Sequence, residues 1–237
     1  MKAVVLAGGL GTRLQPYTTF LPKPMLPLGE KPILEHLIEW VKANGIRSVV
    51  LCVSYLRKTI ENYFEDGSRL GIEIEYAVSP RPLATAGQLR TVRGMVDGTF
   101  ACMYGDSLFD FSLRGMIRQH KRTGSFVTMG LNTYRTRLPY GVIETAKEGA
   151  AAGQVTGWKE KPEIDVMINM GCYVMEPEII EMIPDGKPYG MDTLIKQAIS
   201  QQKLVGSYVS KNGFLDIGDR ASYEAAQQEY IGRLGNI

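Results

Sequence analysis

The sequence has few of the groups that cross-link small proteins or bind metals. Its three cysteines, Cys52, Cys102 and Cys172, are odd in number and far apart, which argues against a disulfide framework or a cysteine metal cluster. Each lies in an apolar, strand-like run, so we expect three small buried side chains in a reducing cytoplasm. The two histidines, His36 and His120, fit no ligand pattern, and we assign them no role.

Long apolar runs and a strong charge imbalance are also absent. No stretch of about 18 apolar residues occurs, and the run at 3–7 is too short for the core of a signal peptide. The net charge is +2. The densest basic run, RQHKR at 118–122, lies on a predicted helix, and we interpret it as a solvated helix face. We therefore expect a cytoplasmic protein with no nucleic-acid or membrane partner.

The hydrophobic pattern predicts alternating strands and helices. In the first half it predicts strands at 2–7, 47–53, 72–78 and 100–104, and helices at 33–44, 58–64 and 85–95. In the second half it predicts strands at 125–131, 140–144, 155–158, 168–175 and 204–209, and helices near 178–183, 191–201 and 220–234. This order is typical of an α/β fold with a Rossmann-like, mostly parallel mixed sheet and helices on both faces, the second half extending the same sheet. Ligands of such sheets bind at the carboxyl ends of the strands.

The first strand leads into the glycine-rich stretch LAGGLGTRLQPYTTFLPKPMLPLGEKP at 6–32. A dinucleotide loop requires GxGxxG and an acidic residue at the end of the second strand. Here Leu14 follows Gly9 and Gly11 in place of the third glycine, and the second strand ends in Ser54 and Tyr55. The GxxxxGK[ST] phosphate loop is absent as well. These differences weigh against an oxidoreductase.

The same stretch combines backbone amides with cations. Glycine-rich backbone can approach a phosphate chain, Arg13 lies in the loop, and Lys23 lies between Pro22 and Pro24 on a stiff, extended segment. Arginine offers a fork of donors to phosphate oxygens, and lysine offers a compact charge. An ordinary strand-to-helix turn and an exposed lysine are the alternative interpretations of these residues taken singly.

Several motifs along the chain occur together in one known family. GGLGTRLQPYT and LPKPMLPLGEKPILEH are followed by LATAGQL at 83–89, YGD at 104–106, YGVIE at 140–144, EKP at 160–162, NMGCY at 169–173 and FLDIG at 214–218. In this order, over nearly the whole chain, they resemble the sugar-1-phosphate nucleotidyltransferases, and most of all the mannose and heptose 1-phosphate guanylyltransferases. The resemblance implies an enzyme that joins a nucleoside triphosphate to a sugar 1-phosphate and releases pyrophosphate.

The resemblance also implies how the chain is divided. Residues 1–237 would form a single nucleotidyltransferase domain, with a nucleotide-binding half at about 1–115 and a sugar-binding half at about 116–237. The left-handed β-helix that many longer relatives carry after the last helix is expected to be missing. A homodimer through the α/β domain stays open.

Residue roles follow from the resemblance position by position. The catalytic set would be Arg13 and Lys23 on the phosphates, Lys161 on the sugar phosphate, and Asp106. Asp106 and Asp216 would hold Mg²⁺, the expected cofactor. The nucleotide would contact Leu6, Ala7, Gly8, Gly9, Gly11, Thr12, Arg13, Thr85, Ala86, Gly87 and Asp106. The sugar phosphate would contact Gly141, Glu160, Lys161, Asn169 and Gly171.

The substrate pair is less defined. The TAG tripeptide at 85–87 resembles guanylyltransferases, so GTP is favoured, with mannose or heptose 1-phosphate. The family commonly has glycine where this chain has Ala84, which would narrow the space beside the base or ribose. Thymidylyl, uridylyl or cytidylyl transfer, including cytidylyl transfer to an alcohol phosphate, and a non-catalytic sugar-nucleotide sensor remain alternatives. Asp219, directly before the last predicted helix, is expected to be an N-cap.

Overall fold

The structure, a computed structural model, describes residues 1–148 and 152–234. Its helices are α1 (Ile33–Ala43), α2 (Arg57–Phe64), α3 (Ala84–Arg90), α4 (Leu113–Thr123), α5 (Met191–Ser200) and α6 (Arg220–Leu234). Its strands are β1 (Ala3–Leu6), β2 (Pro27–Leu28), β3 (Lys31–Pro32), β4 (Ser48–Val53), β5 (Glu73–Val78), β6 (Phe100–Tyr104), β7 (Ser107–Phe109), β8 (Val127–Arg137), β9 (Val142–Thr145), β10 (Val155–Lys159), β11 (Glu163–Met175), β12 (Val205–Ser210) and β13 (Phe214–Asp216).

The central sheet has seven strands in the order β12-β8-β11-β6-β1-β4-β5. β1, β4, β5 and β6 are parallel to their neighbours in this group, and β12 is parallel to β8. Only β11 runs antiparallel within the sheet, to both β6 and β8. The predicted mostly parallel mixed sheet is confirmed, and β8, β11 and β12 show that the second half of the chain extends it.

Successive residues of the buried strands face opposite layers of helices. Val5 packs in a cluster with residues of α1, α2 and α4, whereas Val4 packs in a cluster with residues of α3 and α5. Both valines are fully buried, which is worth about 1.5–3 kcal/mol for each side chain. Helices therefore cover both faces, as the continuous apolar runs predict.

The order in which the chain adds strands to the sheet reverses at β1. It runs from β1 to β4 and β5 on one side, and then crosses to β6 on the other side of β1. The carboxyl ends of β1 and β6 therefore border the crevice at which open α/β sheets bind ligands. Leu6 ends β1 and Tyr104 ends β6 in matching register, which places the glycine loop beside Gly105 and Asp106.

The three cysteines are buried, as predicted. Cys52 lies in β4, Cys102 in β6 and Cys172 in β11. Burial raises the pKa of Cys52 and of Cys172 to about 12. Thiols with such pKa values stay protonated at neutral pH, so these residues act as small apolar side chains.

The basic run at 118–122 lies on a helix, as predicted, and Arg118, Lys121 and Arg122 are exposed on α4. His120 is different, because only 1% of it is exposed. Its ring nitrogens lie 2.9 Å from the Thr128 hydroxyl and 2.9 Å from a Glu176 carboxylate oxygen. This histidine is a hydrogen-bonded core residue.

Some predicted boundaries were wrong. The helix expected at 85–95 ends at Arg90, because the chain then turns and reaches Gly94 with φ of +77°. The helix near 178–183 is a 3-10 helix at Pro177–Met182. The ribbon of β7 and β13 was not predicted, since three-residue strands carry too little pattern. No helix in the described part of the chain is both long and apolar enough to cross a membrane.

Candidate active site

A cavity of about 340 Å³ lies at the carboxyl ends of β1 and β6. It is lined by Gly8, Gly9, Leu10, Gly11, Thr12, Arg13, Lys23, Pro82, Ala84, Gln88, Asp106 and Gly218. Seven of these residues belong to the set that the sequence predicts for catalysis or nucleotide binding. The structure therefore brings the glycine loop, two cations and one carboxylate to one place.

The loop after β1 turns sharply at Gly11. Gly11 has φ of +64°, a left-handed conformation that glycine adopts without steric cost. Its carbonyl oxygen accepts hydrogen bonds from the Leu14 N–H at 2.9 Å and the Thr18 hydroxyl at 2.8 Å. A Cβ here would lie 2.9 Å from Thr18 Cγ2 and 3.2 Å from Lys23 Cβ. The glycine thus lets the loop close tightly on Lys23.

The loop leaves backbone donors available to a ligand. The Ala7 N–H donates to the Cys52 carbonyl at 2.9 Å, and the Gly8 N–H donates to Gln88 Oε1 at 2.8 Å. Among the described residues, the N–H groups of Gly9, Leu10 and Gly11 have no acceptor. Successive unpaired N–H groups form an anion-binding concavity, so the phosphates are expected at this part of the loop and not at Gly8.

Lys23 is buried at the edge of the cavity, with 8% of the residue exposed. Pro22 is extended, as predicted, but Lys23–Met25 forms a single 3-10 turn and not an extended segment. The Met25 N–H closes this turn by donating to the Pro22 carbonyl at 2.8 Å. The Lys23 ammonium donates to Asp106 Oδ2. The exposed-lysine interpretation is therefore wrong.

Arg13 is the second cation of the cavity, and its side chain is exposed. A Cβ added to Gly218 would lie 3.8 Å from its guanidinium nitrogen, so Arg13 reaches toward the segment after β13. Within the described ranges, neither Arg13 nor Lys161 has a carboxylate oxygen within 4 Å. Neither side chain forms a close ion pair there, although the charge of Arg13 acts at longer range on Asp216 and Asp219.

The two predicted metal carboxylates come together through a short ribbon. β13 pairs antiparallel with β7, with Asp216 opposite Ser107, and the Ile217 N–H donates to the Asp106 carbonyl at 3.2 Å. A separate two-stranded ribbon, and not the central sheet, therefore unites them. Burial, followed by the negative charge of Asp106, raises the pKa of Asp216, and this shift indicates that the two charges interact.

The donor set at this ribbon fits a magnesium ion. Mg²⁺ prefers oxygen ligands and usually takes one or two protein carboxylates, with phosphate oxygens and water in the other positions. In the described residues, no group of three or more His, Cys, Asp or Glu side chains forms a metal cluster. Asp106 and Asp216 would therefore hold the metal only together with substrate oxygens.

The TAG segment at the start of α3 is fixed by a chain segment from the second half. The Thr85 hydroxyl accepts the Met191 N–H at 2.8 Å, and the Gly87 N–H donates to the Tyr189 carbonyl at 2.9 Å. A Cβ on Gly87 would lie 2.9 Å from the Lys187 carbonyl oxygen. Ala84 has φ of +56°, which gives a backbone reason for the glycine common there in the resembling family.

Three further predicted nucleotide contacts have buried side chains. They are Leu6 with 6% exposed, Ala7 with 2% and Ala86 with 0%. Leu6 and Ala86 pack in the apolar cluster on the α3 side of the sheet. A ligand could reach these residues only at their backbone.

Two of the predicted sugar contacts lie beside the end of β6. The register of β11 against β8 shifts between Asn169 and Tyr173, and Gly171 has φ of +74°. In this bulge the Gly171 N–H donates to Asn169 Oδ1 at 3.1 Å, while the Asn169 amide donates to the Tyr173 hydroxyl. The Tyr173 hydroxyl lies 3.1 Å from that of Tyr104, so Asn169 and Gly171 are linked to the end of β6, two residues before Asp106.

The other predicted sugar contacts form a second group. A Cβ on Gly141 would lie 2.8 Å from the Trp158 ring and 3.1 Å from Glu160 Oε2, and the Trp158 indole donates to Glu160 at 3.1 Å. Lys161 is exposed, with φ of +44°. Among the described residues, no hydrogen bond or ion pair joins this group to the residues that line the cavity. Their roles remain predictions.

Sequence reasoning missed two polar residues of this region, Gln88 and Tyr104. Gln88 lies within the LATAGQL motif and Tyr104 within YGD, but neither was assigned a role. Burial raises the pKa of the Tyr104 hydroxyl. The only sequence signal was their position in motifs next to predicted strand ends. Asp219, by contrast, caps α6 as predicted, because its carboxylate accepts the Ser222 N–H at 2.9 Å.

Replacing Gly171 by alanine tests the bulge. A Cβ there would lie 2.4 Å from the Tyr104 ring in addition to the positive φ, so we expect a loss of about 2–4 kcal/mol in the free energy of unfolding. Gly94→Ala is the matched control, because Gly94 has φ of +77° and nothing within 4 Å of the added Cβ. The Gly94→Ala variant should lose only about 1–2 kcal/mol in the free energy of unfolding. Urea denaturation measures both, and equal losses would contradict the crowding at Tyr104.

Comparison with known proteins places the chain in a family. The chain belongs to the nucleotidyl transferase family, whose sequence profile matches residues 2–232. It is 34% identical over 209 residues to the UTP–glucose-1-phosphate uridylyltransferase of Synechocystis sp., covering 81% of this chain and 53% of that protein. It is 34% identical over 222 residues to the mannose-1-phosphate guanylyltransferase of Mycobacterium tuberculosis, covering 92% of this chain and 61% of that protein.

A solved structure supports the same fold. HddC from Yersinia pseudotuberculosis superposes with a TM-score of 0.75 at 25% identity, covering 97% of this chain and 99% of that one. The chain spans between 53% and 61% of the length of the two curated relatives described above. The resemblance found in the sequence motifs is therefore confirmed at the level of family and fold.

Proposed function

We propose that the protein transfers a nucleotidyl group from a nucleoside triphosphate to a sugar 1-phosphate and releases pyrophosphate. The observation that carries this proposal is the cavity itself, where Arg13, Lys23 and unpaired loop N–H groups lie with the Asp106 carboxylate. The Asp216 carboxylate, on the adjoining ribbon, interacts electrostatically with these charged side chains. Such a set binds polyphosphates and a divalent cation together. The family membership supports the same chemistry.

Electrostatics explain why the reaction needs this arrangement. Two phosphate-bearing substrates must approach each other, and two unit charges of like sign about 4 Å apart cost roughly 4 kcal/mol at an effective dielectric of 20. Arg13 would offset the charge of the β- and γ-phosphates and of the departing pyrophosphate. Lys23 would face the phosphates of both substrates, and Lys161 the sugar phosphate. A phosphate monoester is already a charged nucleophile, so positioning and neutralisation provide most of the rate.

Asp106 and Asp216 would hold Mg²⁺ together with phosphate oxygens. When bound, the metal would neutralise phosphate charge and polarise the phosphoryl group. In the structure, Lys23 pairs with Asp106. This pair supplies a countercharge to the carboxylate and holds the ammonium at the edge of the cavity, where it could meet phosphates.

For the substrate pair we propose GTP with mannose or heptose 1-phosphate. Support comes from the LATAGQL motif and from relatives named as mannose-1-phosphate guanylyltransferases, which are 31–34% identical over 92–99% of this chain. A second candidate is UTP with glucose 1-phosphate, which the Synechocystis relative favours at 34% identity. We further propose that the protein works in the cytoplasm and can form a homodimer.

Pyrophosphate release tests the proposal directly. The protein is assayed with Mg²⁺ over ATP, GTP, CTP, UTP and dTTP against glucose, mannose, galactose, N-acetylglucosamine and heptose 1-phosphates, with phosphocholine as an additional acceptor. We expect one strong combination in the GTP row, no release with either substrate alone, and none after EDTA. Folded protein that binds a nucleotide sugar but releases no pyrophosphate would instead identify a sensor. Release with CTP and phosphocholine would identify an alcohol-phosphate cytidylyltransferase.

A further inference from the structure

Gln88 is a buried polar side chain on the wall of the cavity. It lies in α3, with 6% of the residue exposed. Its Oε1 accepts the Gly8 N–H at 2.8 Å, although the two residues are 80 positions apart in the chain. Gln88 thus joins α3 to Gly8, the first glycine of the glycine loop.

This hydrogen bond fixes which end of the amide faces the cavity. A backbone N–H can only donate, so the amide oxygen must face Gly8 and the amide nitrogen must face away from it. A Cβ on Gly8 would lie 2.9 Å from Gln88 Oε1 and 3.2 Å from Ser54 Cβ, so the close approach requires glycine. Gln88 Nε2 has no acceptor among the described residues, while the side chain lines the cavity. Two N–H donors are therefore presented to a ligand.

The position of these donors distinguishes base from phosphate. Lys23 packs on Gly11 at the far end of the loop, where the unpaired N–H groups and Asp106 lie. Gln88 bonds Gly8 at the start of the loop, and Pro82 and Ala84 are its uncharged neighbours on the cavity wall. Phosphates favour the cationic end, so the base of a bound nucleotide is expected at the Gln88 end.

We propose that Gln88 Nε2 donates a hydrogen bond to the exocyclic keto oxygen of the base, O6 of guanine or O4 of uracil or thymine. The inference rests on the proposed nucleotidyl transfer and names its class of base. Adenine and cytosine carry an amino group at the same position. That amino group would place a donor opposite the Gln88 N–H donors. Neither the amino group nor Gln88 Nε2 would then have an acceptor in this buried position. Gln88 would therefore select keto bases over amino bases.

The test uses nucleotide pairs in which an amino group replaces the keto oxygen and the neighbouring ring nitrogen changes from donor to acceptor. One pair is GTP and 2,6-diaminopurine riboside triphosphate, and the other is UTP and CTP. Dissociation constants and kcat/KM are measured for each pair. In the wild type the keto member of the better-bound pair should be preferred by about 100-fold or more. In Gln88→Met, which removes both donors, the preference should fall to about fivefold or less.

A second variant keeps the contact that Gln88→Met breaks. Gln88→Glu can still accept the Gly8 N–H, but it presents an acceptor to the base in place of donors. We expect it to reverse the preference toward the amino member. Its negative charge weakens every triphosphate equally, so the ratio within a pair is the quantity to compare. Gln201→Glu, an exposed residue beyond α5, is the matched control and should keep the wild-type ratio.

The outcomes separate this inference from the proposed function. A keto preference unchanged in both Gln88→Met and Gln88→Glu, or no preference in the wild type, would overturn the role of Gln88. Keto-selective binding that Gln88→Met abolishes, in a protein that releases no pyrophosphate, would support Gln88 and overturn the proposed catalysis. Protein that binds none of the four triphosphates would overturn both.

Discussion

Replacing Lys23 by methionine should lower kcat for pyrophosphate release by about 1,000-fold, one of the two largest effects that the site predicts. The side chain is 10% exposed and reaches Asp106, so the lost charge acts where water screens it poorly. Methionine has a side chain of similar length and carries no charge. The measurement is steady-state release with the best substrate pair, and kcat should fall much more than KM rises, because the charge acts most strongly in the transition state.

A second lysine provides the control for this variant. Lys31 also pairs with a carboxylate, Glu39, but its side chain is 40% exposed and it does not line the cavity. Such surface pairs are worth about 0–1 kcal/mol. Lys31→Met should therefore keep wild-type kcat. If Lys23→Met, folded by circular dichroism, lost less than about tenfold, Lys23 would be a structural partner of Asp106 and not a catalytic charge.

The sequence predicted those parts of the fold that have a long, regular pattern. β1, β4 and β6 are continuous apolar runs, so their strand character and burial follow from composition. The crevice at their carboxyl ends follows from the strand order of α/β sheets. For this reason the glycine loop, Arg13 and Lys23 could be placed in one site before the structure was known.

Other features depend on contacts that no local pattern records. Gln88 meets Gly8 across 80 residues, and its spacing in α3 predicts only a helical residue. The β7–β13 ribbon that unites Asp106 with Asp216 is too short for a periodic signal. The Lys23–Asp106 pair follows from the side-chain geometry of one turn. Tertiary packing, and not propensity, determines these contacts.

Replacing Asp216 by asparagine should stabilise the metal-free protein while removing its activity. Burial and the neighbouring Asp106 both act against the Asp216 charge, and they raise its pKa. Asparagine removes that charge at nearly constant shape, so we expect Tm to rise by roughly 1–3 °C at neutral pH. The expected rise is modest because the Asp216 side chain is partly exposed and because Lys23 and Arg13 offset part of the repulsion. Activity should fall by about 100-fold or more, since the proposed metal ligand is lost.

Magnesium and pH test the cause of this gain. Wild-type Tm should rise more with Mg²⁺ and a nucleoside triphosphate together than with either alone, because ligands of the native state stabilise it, and Asp216→Asn should lose the part of that rise that depends on Mg²⁺. A raised native pKa means that the folded protein takes up the proton at higher pH than the unfolded chain does. The destabilising charge is thus present at neutral pH and disappears as pH falls through the raised pKa toward 3.8. The Tm difference between Asp216→Asn and the wild type should therefore shrink as the pH falls.

Asp110 is an exposed carboxylate just after β7 and provides the control. Asp110→Asn should change neither the Mg²⁺-dependent rise in Tm nor the pH dependence of Tm. A lower Tm in Asp216→Asn than in the wild type at neutral pH would contradict the repulsion.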